Sequence, residues 1–270
     1  MDDAEPEEAP GKPGPAIWTV LGAGSILPRQ GYGCAGYALR PAPDAGVTLF
    51  DCGPGTLRSL AEAGMELAEV ERIVLSHFHI DHCLDLFALG FARTNPAFDA
   101  PPLELIGPAG LKRFVEKAGA ALGNSPARGF DGVKFLEVEP AGKTASREFE
   151  AYRLSTVATY HTRQALAWRA DLPDGRSVTF SGDTGEEPSV GTLAKETSLF
   201  ACECSFPSEL GQPNHLTPEG AARLAAHAGC ERLLLTHFYP SMDPERARRD
   251  AAAVFDGEIL LAKDRASFEV

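Results

Sequence analysis

Four metal-capable side chains crowd into the six residues His77-Phe78-His79-Ile80-Asp81-His82, directly after the apolar run ERIVLSH of residues 71–77. That run reads as a buried strand. His77 and His79 alternate along an extended chain and point the same way. Asp81 and His82 follow where the chain turns into the next helix. Imidazole and carboxylate together suit borderline cations such as Zn²⁺. A lone histidine is more often structural; four such groups at one strand end mark a site.

The rest of the chain alternates short β-rich runs with helical patterns from Ala16 onward. Strands are expected over 17–21, 36–40, 47–52, 71–77, 103–107, 134–138, 149–157, 165–171, 177–183 and 232–237. Helices are expected over 56–64, 84–93, 110–122, 217–228 and 244–255, the fourth opened by a Thr217 cap with Pro218 in its first turn. The end is short and β-like. Residues 1–15 hold five acids, one lysine and four prolines, and are expected to be a disordered tail ahead of a single α/β domain over 16–270. One segment echoes another. Glu71-Arg72-Ile73-Val74-Leu75-Ser76-His77-Phe78 recurs as Glu231-Arg232-Leu233-Leu234-Leu235-Thr236-His237-Phe238, with five identities in eight positions. Coincidence between two apolar strands accounts for this. So does a two-halved fold whose equivalent strand ends meet at one site.

Charge and cysteine content narrow the class. The net charge is −13, and without residues 1–15 the chain still holds 33 acids against 24 bases. So acidic a body is a poor unaided partner for a polyanion. No apolar run approaches the ~20 residues that span a bilayer. The first ten residues, MDDAEPEEAP, carry no export signal, and six cysteines in 270 residues are too sparse for a disulfide scaffold. Reduced thiols and a cytoplasmic location are therefore expected, with no membrane partner.

The remaining histidines sharpen the site. His161 follows the strand of 149–157, His237 ends that of 232–237, and Asp183 stands in a Ser-Gly-Asp-Thr turn after 177–180. Strand ends converging on one edge are where α/β proteins place their sites. His227, inside a helical pattern, reads as an ordinary helix residue. Gly22-Ala23-Gly24 lacks the third glycine of a dinucleotide fingerprint and reads as a loop bordering the cleft. Cys202 and Cys204 read as alternate residues of a strand end. Arg246, Arg248 and Arg249 read as the solvated face of the last helix.

The cluster of residues 77–82, a later histidine, a Gly-Asp turn and a terminal histidine together resemble the metallo-β-lactamase superfamily over residues 17–240. The resemblance implies an αβ/βα four-layer sandwich, with two central mixed sheets flanked by helices, and a site for two divalent ions. Zinc is the default ion; manganese or iron also suits the donors. It gives one ion to His77, His79 and His161 and the other to Asp81, His82 and His237, with Asp183 bridging them. Asp51, in FDCGPGT, matches the superfamily's early aspartate. It is either a support for the histidines or a turn-capping residue.

Within the superfamily, three segments resemble the ribonuclease Z-like phosphodiesterases: Phe180-Ser181-Gly182-Asp183-Thr184, Cys202-Glu203-Cys204-Ser205-Phe206 and His215-Leu216-Thr217. That branch implies that His215 protonates the leaving group, that Glu203 orients it, and that Asp81 is a ligand and proton acceptor. Many members carry a tRNA-gripping arm between the third histidine and the bridging aspartate. Here His161 and Asp183 lie only 22 positions apart, and the residues between them read as a plain hairpin. The expected activity is a metal-dependent phosphodiesterase acting on a small or cyclic phosphodiester through a hydroxide held by two metals. The alternatives are a ribonuclease Z-like tRNA 3′-end endonuclease, a lactonase or thioester hydrolase of the same fold, and a metal-binding protein without turnover. Nucleic acid is the less expected partner. A homodimer is in keeping with the relatives.

Overall fold

The computed structural model describes residues 14–139 and 144–270. Of the expected acidic tail, residues 1–13 lie outside the described residues. Six strands of the first half form one sheet: β1 (Ile17–Gly22), β2 (Gly36–Arg40), β3 (Val47–Cys52), β4 (Val70–Val74), β5 (Glu104–Pro108) and β6 (Lys134–Val138). The second sheet holds β7 (Ala145–Glu148), β8 (Arg153–Ala158), β9 (Leu166–Asp171), β10 (Ser177–Phe180), β11 (Leu199–Glu203), β12 (Arg232–Thr236) and β13 (Glu258–Leu261). The last strand, β14 (Ser267–Glu269), crosses back to pair with β1, so each sheet has seven strands.

Both sheets are mixed in the same way. In the order β14-β1-β2-β3-β4-β5-β6, pairing is antiparallel up to β3 and parallel beyond it. In the order β7-β8-β9-β10-β11-β12-β13, it changes from antiparallel to parallel at β10. The helices are α1 (Thr56–Glu62), α2 (Ile80–Cys83), α3 (Asp85–Arg93), α4 (Leu111–Ala121), α5 (Ser125–Arg128), α6 (Pro188–Leu193), α7 (Pro218–Ala228) and α8 (Pro244–Ala252).

Three apolar layers make the sandwich. Trp18, Tyr37, Phe50, Trp168, Phe180 and Leu234 pack between the sheets. Leu49, Ile73, Leu60, Leu86 and Val115 fill the space between the first sheet and its helices. Phe200, Leu233, Leu235, Leu224 and Ala247 do so for the second. Strands buried on both faces explain the unbroken apolar runs, because alternate residues such as Leu234 and Leu235 serve different layers.

Most expected elements are present with trimmed ends. The strand expected over 149–157 starts only at Arg153, because Phe149 donates its N–H to the Tyr152 carbonyl in a turn. The strand expected to reach 183 stops at Phe180, and Gly182 takes a left-handed φ of 56°. Its missing Cβ would lie 2.8 Å from the Cβ of Ser76, so this turn requires glycine on two counts. The expected hairpin is present, with β9 and β10 antiparallel and joined through Gly175 at φ 90°. The echo resolves differently. Its two strands, β4 and β12, both end at the same cleft, but β4 adjoins β3 at the switch to parallel pairing while β12 lies one strand further out. They share a use, not an equivalent place.

Candidate metal centre and active site

Strands of both sheets deliver their C-terminal ends to one cleft. β4 leads into Ser76 and His77, and the turn into α2 carries His79, Asp81 and His82. Gly53 lets this turn approach: a Cβ there would lie 1.9 Å from the Asp81 carbonyl oxygen. The second sheet contributes His161 after β8, Asp183 after β10, Glu203 at the end of β11 and His237 after β12. All seven metal-capable residues singled out in the sequence are brought together. His77, His79, His161 and Asp183 form one group, and Asp81, His82 and His237 a second, with ligand atoms in each within 4.8 Å of one another. Asp183 lies between them, its Oδ1 3.3 Å from His82 Nε2 and 3.5 Å from His237 Nε2, its Oδ2 3.7 Å from His161 Nε2 and 4.0 Å from His77 Nε2.

The backs of the rings are held. Asp51 is fully buried and accepts from Ser76 N (2.7 Å), Ser76 Oγ (2.7 Å) and His82 Nδ1 (2.6 Å). His77 Nδ1 lies 2.9 Å from Ser76 Oγ, His161 Nδ1 3.0 Å from the Asn214 carbonyl, and His237 Nδ1 3.0 Å from Ser205 Oγ. With Nδ1 protonated in these four rings, each Nε2 presents a lone pair to the cleft. The structure thus places Asp51 behind the histidines, not as the cap of a turn. Asp51 and His237 both adopt a left-handed φ of 58°. For buried non-glycine residues this is backbone strain, held by the surrounding packing and hydrogen bonds.

The donor set fits cations. His82 Nε2 and His237 Nε2 face each other at 3.2 Å, as do His161 Nε2 and His79 Nδ1 at 3.0 Å. His77 Nε2 and Asp183 Oδ1 are buried and have no aligned hydrogen-bond partner among the described residues. Converging lone pairs with orphaned buried acceptors are satisfied by a positive charge at their centre. The carboxylates concentrate negative potential at the same centre. Burial works against a charged His82, yet Asp183 and Asp51 outweigh it and hold this imidazole well above its ordinary range. Burial also works against a charged Asp183, which the facing His237 and His82 nevertheless keep well below the usual carboxylate range. His77 is pushed well down by burial and by the neighbouring His82.

Beside this cluster lies a second pair. His215 Nδ1 is 3.1 and 3.2 Å from the two oxygens of Glu203, which also accepts from Thr184 N and Leu216 N. Burial lowers the His215 pKa, but the bond to Glu203 more than compensates and raises it above the ordinary value. His215 also groups with Asp183 and His237 as metal-capable, although Glu203 already occupies its Nδ1. The open cavity here has a volume of about 400 Å³ and includes Ile26, Phe78, Ile80, Asn214 and Tyr239 in its lining. Among the described residues, its lining contains no lysine or arginine.

The other motifs stay outside. Cys202 and Cys204 are buried in the apolar layer beneath α7, His227 lies on α7, and Arg246 pairs with Glu209 and Asp250. Sequence reasoning gave no part to Ser76, Ser205, Asn214 or Tyr239. Ser76 stands inside the echoed segment and Ser205 two residues after Glu203, so both were within reach of a closer reading.

Two mixed seven-stranded sheets between helices, with a His/Asp cluster at the strand ends, define a metallohydrolase fold. The beta-lactamase superfamily domain matches residues 48–238. The chain belongs to the metallo-β-lactamase superfamily and is similar to the ribonuclease Z proteins within it. It is 30% identical to ribonuclease Z of Nocardia farcinica, covering 91% of this chain and 94% of that one. It is 32% identical to an uncharacterized Mycobacterium tuberculosis protein, over 93% and 91% of the two chains. The fold also matches the crystal structure of the metallo-β-lactamase fold protein YhfI from Bacillus subtilis, with a TM-score of 0.76 at 23% identity, over 95% of this chain and all of that one. Among the described residues, no helix is long and apolar enough to cross a membrane.

Proposed function

We propose that this metal-dependent hydrolase is a phosphodiesterase acting on a small or cyclic phosphodiester. The observation that carries the reading is the His215–Glu203 pair beside the His/Asp cluster. A thioester expels a thiolate that needs no proton, whereas an alkoxide leaving phosphorus needs one, which a carboxylate-backed imidazole can supply. His77, His79 and His161 would hold one ion and Asp81, His82 and His237 the other, with Asp183 between them, and zinc suits these donors. When bound, such ions polarise the phosphoryl oxygens and lower the pKa of water towards about 7. The chain's own residues do the rest. Glu203 holds Nδ1 of His215 and favours the imidazolium, so that Nε2 carries a proton for the departing oxygen. Asp81, buried and facing His237 Nε2 at 3.7 Å, is an acceptor for the proton of the attacking water.

Substrate size follows from the walls. A lining without lysine or arginine suits a diester with one negative charge better than a polyanion. The β9–β10 hairpin leaves no room for a nucleic-acid-gripping arm between His161 and Asp183. The alignment to the Nocardia ribonuclease Z runs over 297 positions, more than the 270 of this chain, so that enzyme carries insertions this chain lacks. A tRNA 3′-end endonuclease is the second reading, favoured by the name of that relative. Metal-loaded protein assayed on an aryl phosphodiester, cyclic nucleotides, a tRNA precursor, a lactone and a thioester tests both. Turnover confined to the small diesters is expected. Position-specific trailer cleavage at physiological salt would promote the second reading, and ester turnover alone would dismiss both.

A further inference from the structure

His237, one of the seven metal-capable residues, and the His215–Glu203 pair meet at one atom that neither needs as a ligand or an acid. Ser205 is fully buried. Its hydroxyl donates to Glu203 Oε2, and its oxygen lies 3.0 Å from His237 Nδ1. A hydroxyl has one proton to give and two lone pairs to accept with. With the proton on Glu203, Oγ is an acceptor for His237 Nδ1–H, which directs the Nε2 lone pair of that ring into the cleft. The same carboxylate holds Nδ1 of His215, which itself lies 3.3 Å from Ser205 Oγ. One hydroxyl therefore sets the tautomer of a ring in the cluster and the position of the acid's partner.

The first sheet contains the same arrangement. Ser76 Oγ donates to Asp51 Oδ2 at 2.7 Å and lies 2.9 Å from His77 Nδ1, and Asp51 in turn holds His82 Nδ1. Carboxylate, hydroxyl and imidazole recur in that order on both sides of the cleft. The echo suggests a different residue for the second copy, because Thr236 precedes His237 as Ser76 precedes His77. Thr236 is committed elsewhere: its Oγ1 is 2.8 Å from the hydroxyl of Tyr37. Ser205 reaches the place instead from the neighbouring strand, because β11 and β12 are parallel with Glu203 opposite Thr236.

We propose that Ser205 is a positioning residue that ties metal affinity at His237 to proton delivery by His215. The second half of this rests on the phosphodiesterase reading; the first does not. The test measures Zn²⁺ affinity of the full chain by competition with a chromogenic chelator, alongside turnover of an alkyl and an aryl phosphodiester. Ser205→Ala is expected to weaken Zn²⁺ binding by ~10–100-fold, the usual effect of removing a ligand's hydrogen-bond partner. It is also expected to lower alkyl turnover more than aryl turnover. In a His215→Ala background it should weaken zinc equally but leave the alkyl-to-aryl ratio unchanged, because the acid is already gone. Ser205→Cys, close in size with a weaker donor and acceptor, should fall between, and it carries the same measurements if the alanine variant does not fold. Undiminished zinc affinity in a folded variant overturns the proposal. So does an alkyl-to-aryl ratio equal to that of the wild type. If the wild type turns over no phosphodiester, the activity reading has failed and the proton-delivery half falls with it, and the zinc measurement alone then decides whether Ser205 positions His237.

Discussion

His215 stands where a ligand and an acid would look alike in a sequence, and its partners separate the two roles. Its Nδ1 faces both Glu203 oxygens, which leaves Nε2 as the working atom. His215→Ala should therefore lower turnover of an alkyl phosphodiester by ~10²–10⁴-fold, the range of a positioned acid. An aryl diester, whose leaving group departs readily as an anion, should lose much less, and metal content should not change. Elemental analysis alongside the two rates checks this; lost metal would make His215 a ligand. The pH profile follows from the same pair. Glu203 raises the His215 pKa, so the acid stays protonated to higher pH and activity falls on the alkaline side as the proton is lost. Glu203→Gln removes that support, so the alkaline limb should move to lower pH. A limb that stays in place assigns it to another group.

The elements that position these side chains were legible in the sequence wherever an apolar run or a helical period stands between turn residues. The strands at 36–40, 47–52 and 134–138 and the helix ending at Ala228 agree with the structure residue for residue. Four elements escaped. β7 is exposed at every position, so ASRE shows no apolar pattern. α6 spans only PSVGTL, too short for a helical period and interrupted by glycine. α2 and α5 are single turns, too short to show a helical period. The site was more legible than its scaffold, because its side chains are chemically distinctive while a short strand is not. What the sequence hid was which hydroxyl serves which ring, since Ser205 and His237 are 32 residues apart and meet only through parallel pairing of β11 and β12. Gly182→Ala would place a methyl group 2.8 Å from Ser76 Cβ and force φ 56° on an alanine. A cost of about 1–3 kcal/mol is expected from backbone strain alone. Because the turn carries Asp183 and presses on Ser76, metal affinity should fall with it. Thermal unfolding and zinc titration check this; a variant equal to wild type in both would show that the turn relaxes freely.

At the scale of the whole molecule, the cleft joins the two halves of the sandwich. His77, His79, Asp81 and His82 come from the first sheet's side, and His161, Asp183 and His237 from the second. Ions held by both groups would bind only where the halves are docked, so their binding free energy adds to folding by mass action. At a free-ion concentration of a hundredfold Kd, each site would contribute about 2.7 kcal/mol. A kilocalorie moves the midpoint of a chain this size by a few degrees, about 2–4 °C. Chelation should therefore lower the unfolding temperature by roughly 5–10 °C for each ion removed and abolish turnover. Restoring Zn²⁺ should recover both, in two steps if the sites differ in affinity. The site at Asp81, His82 and His237 is distinguishable from the other: Asp81→Asn should lose one ion per chain and part of the thermal shift, whereas His161→Ala should lose the other. A chelated protein with unchanged midpoint and full activity would remove the metal from both the stability and the chemistry assigned to this cleft.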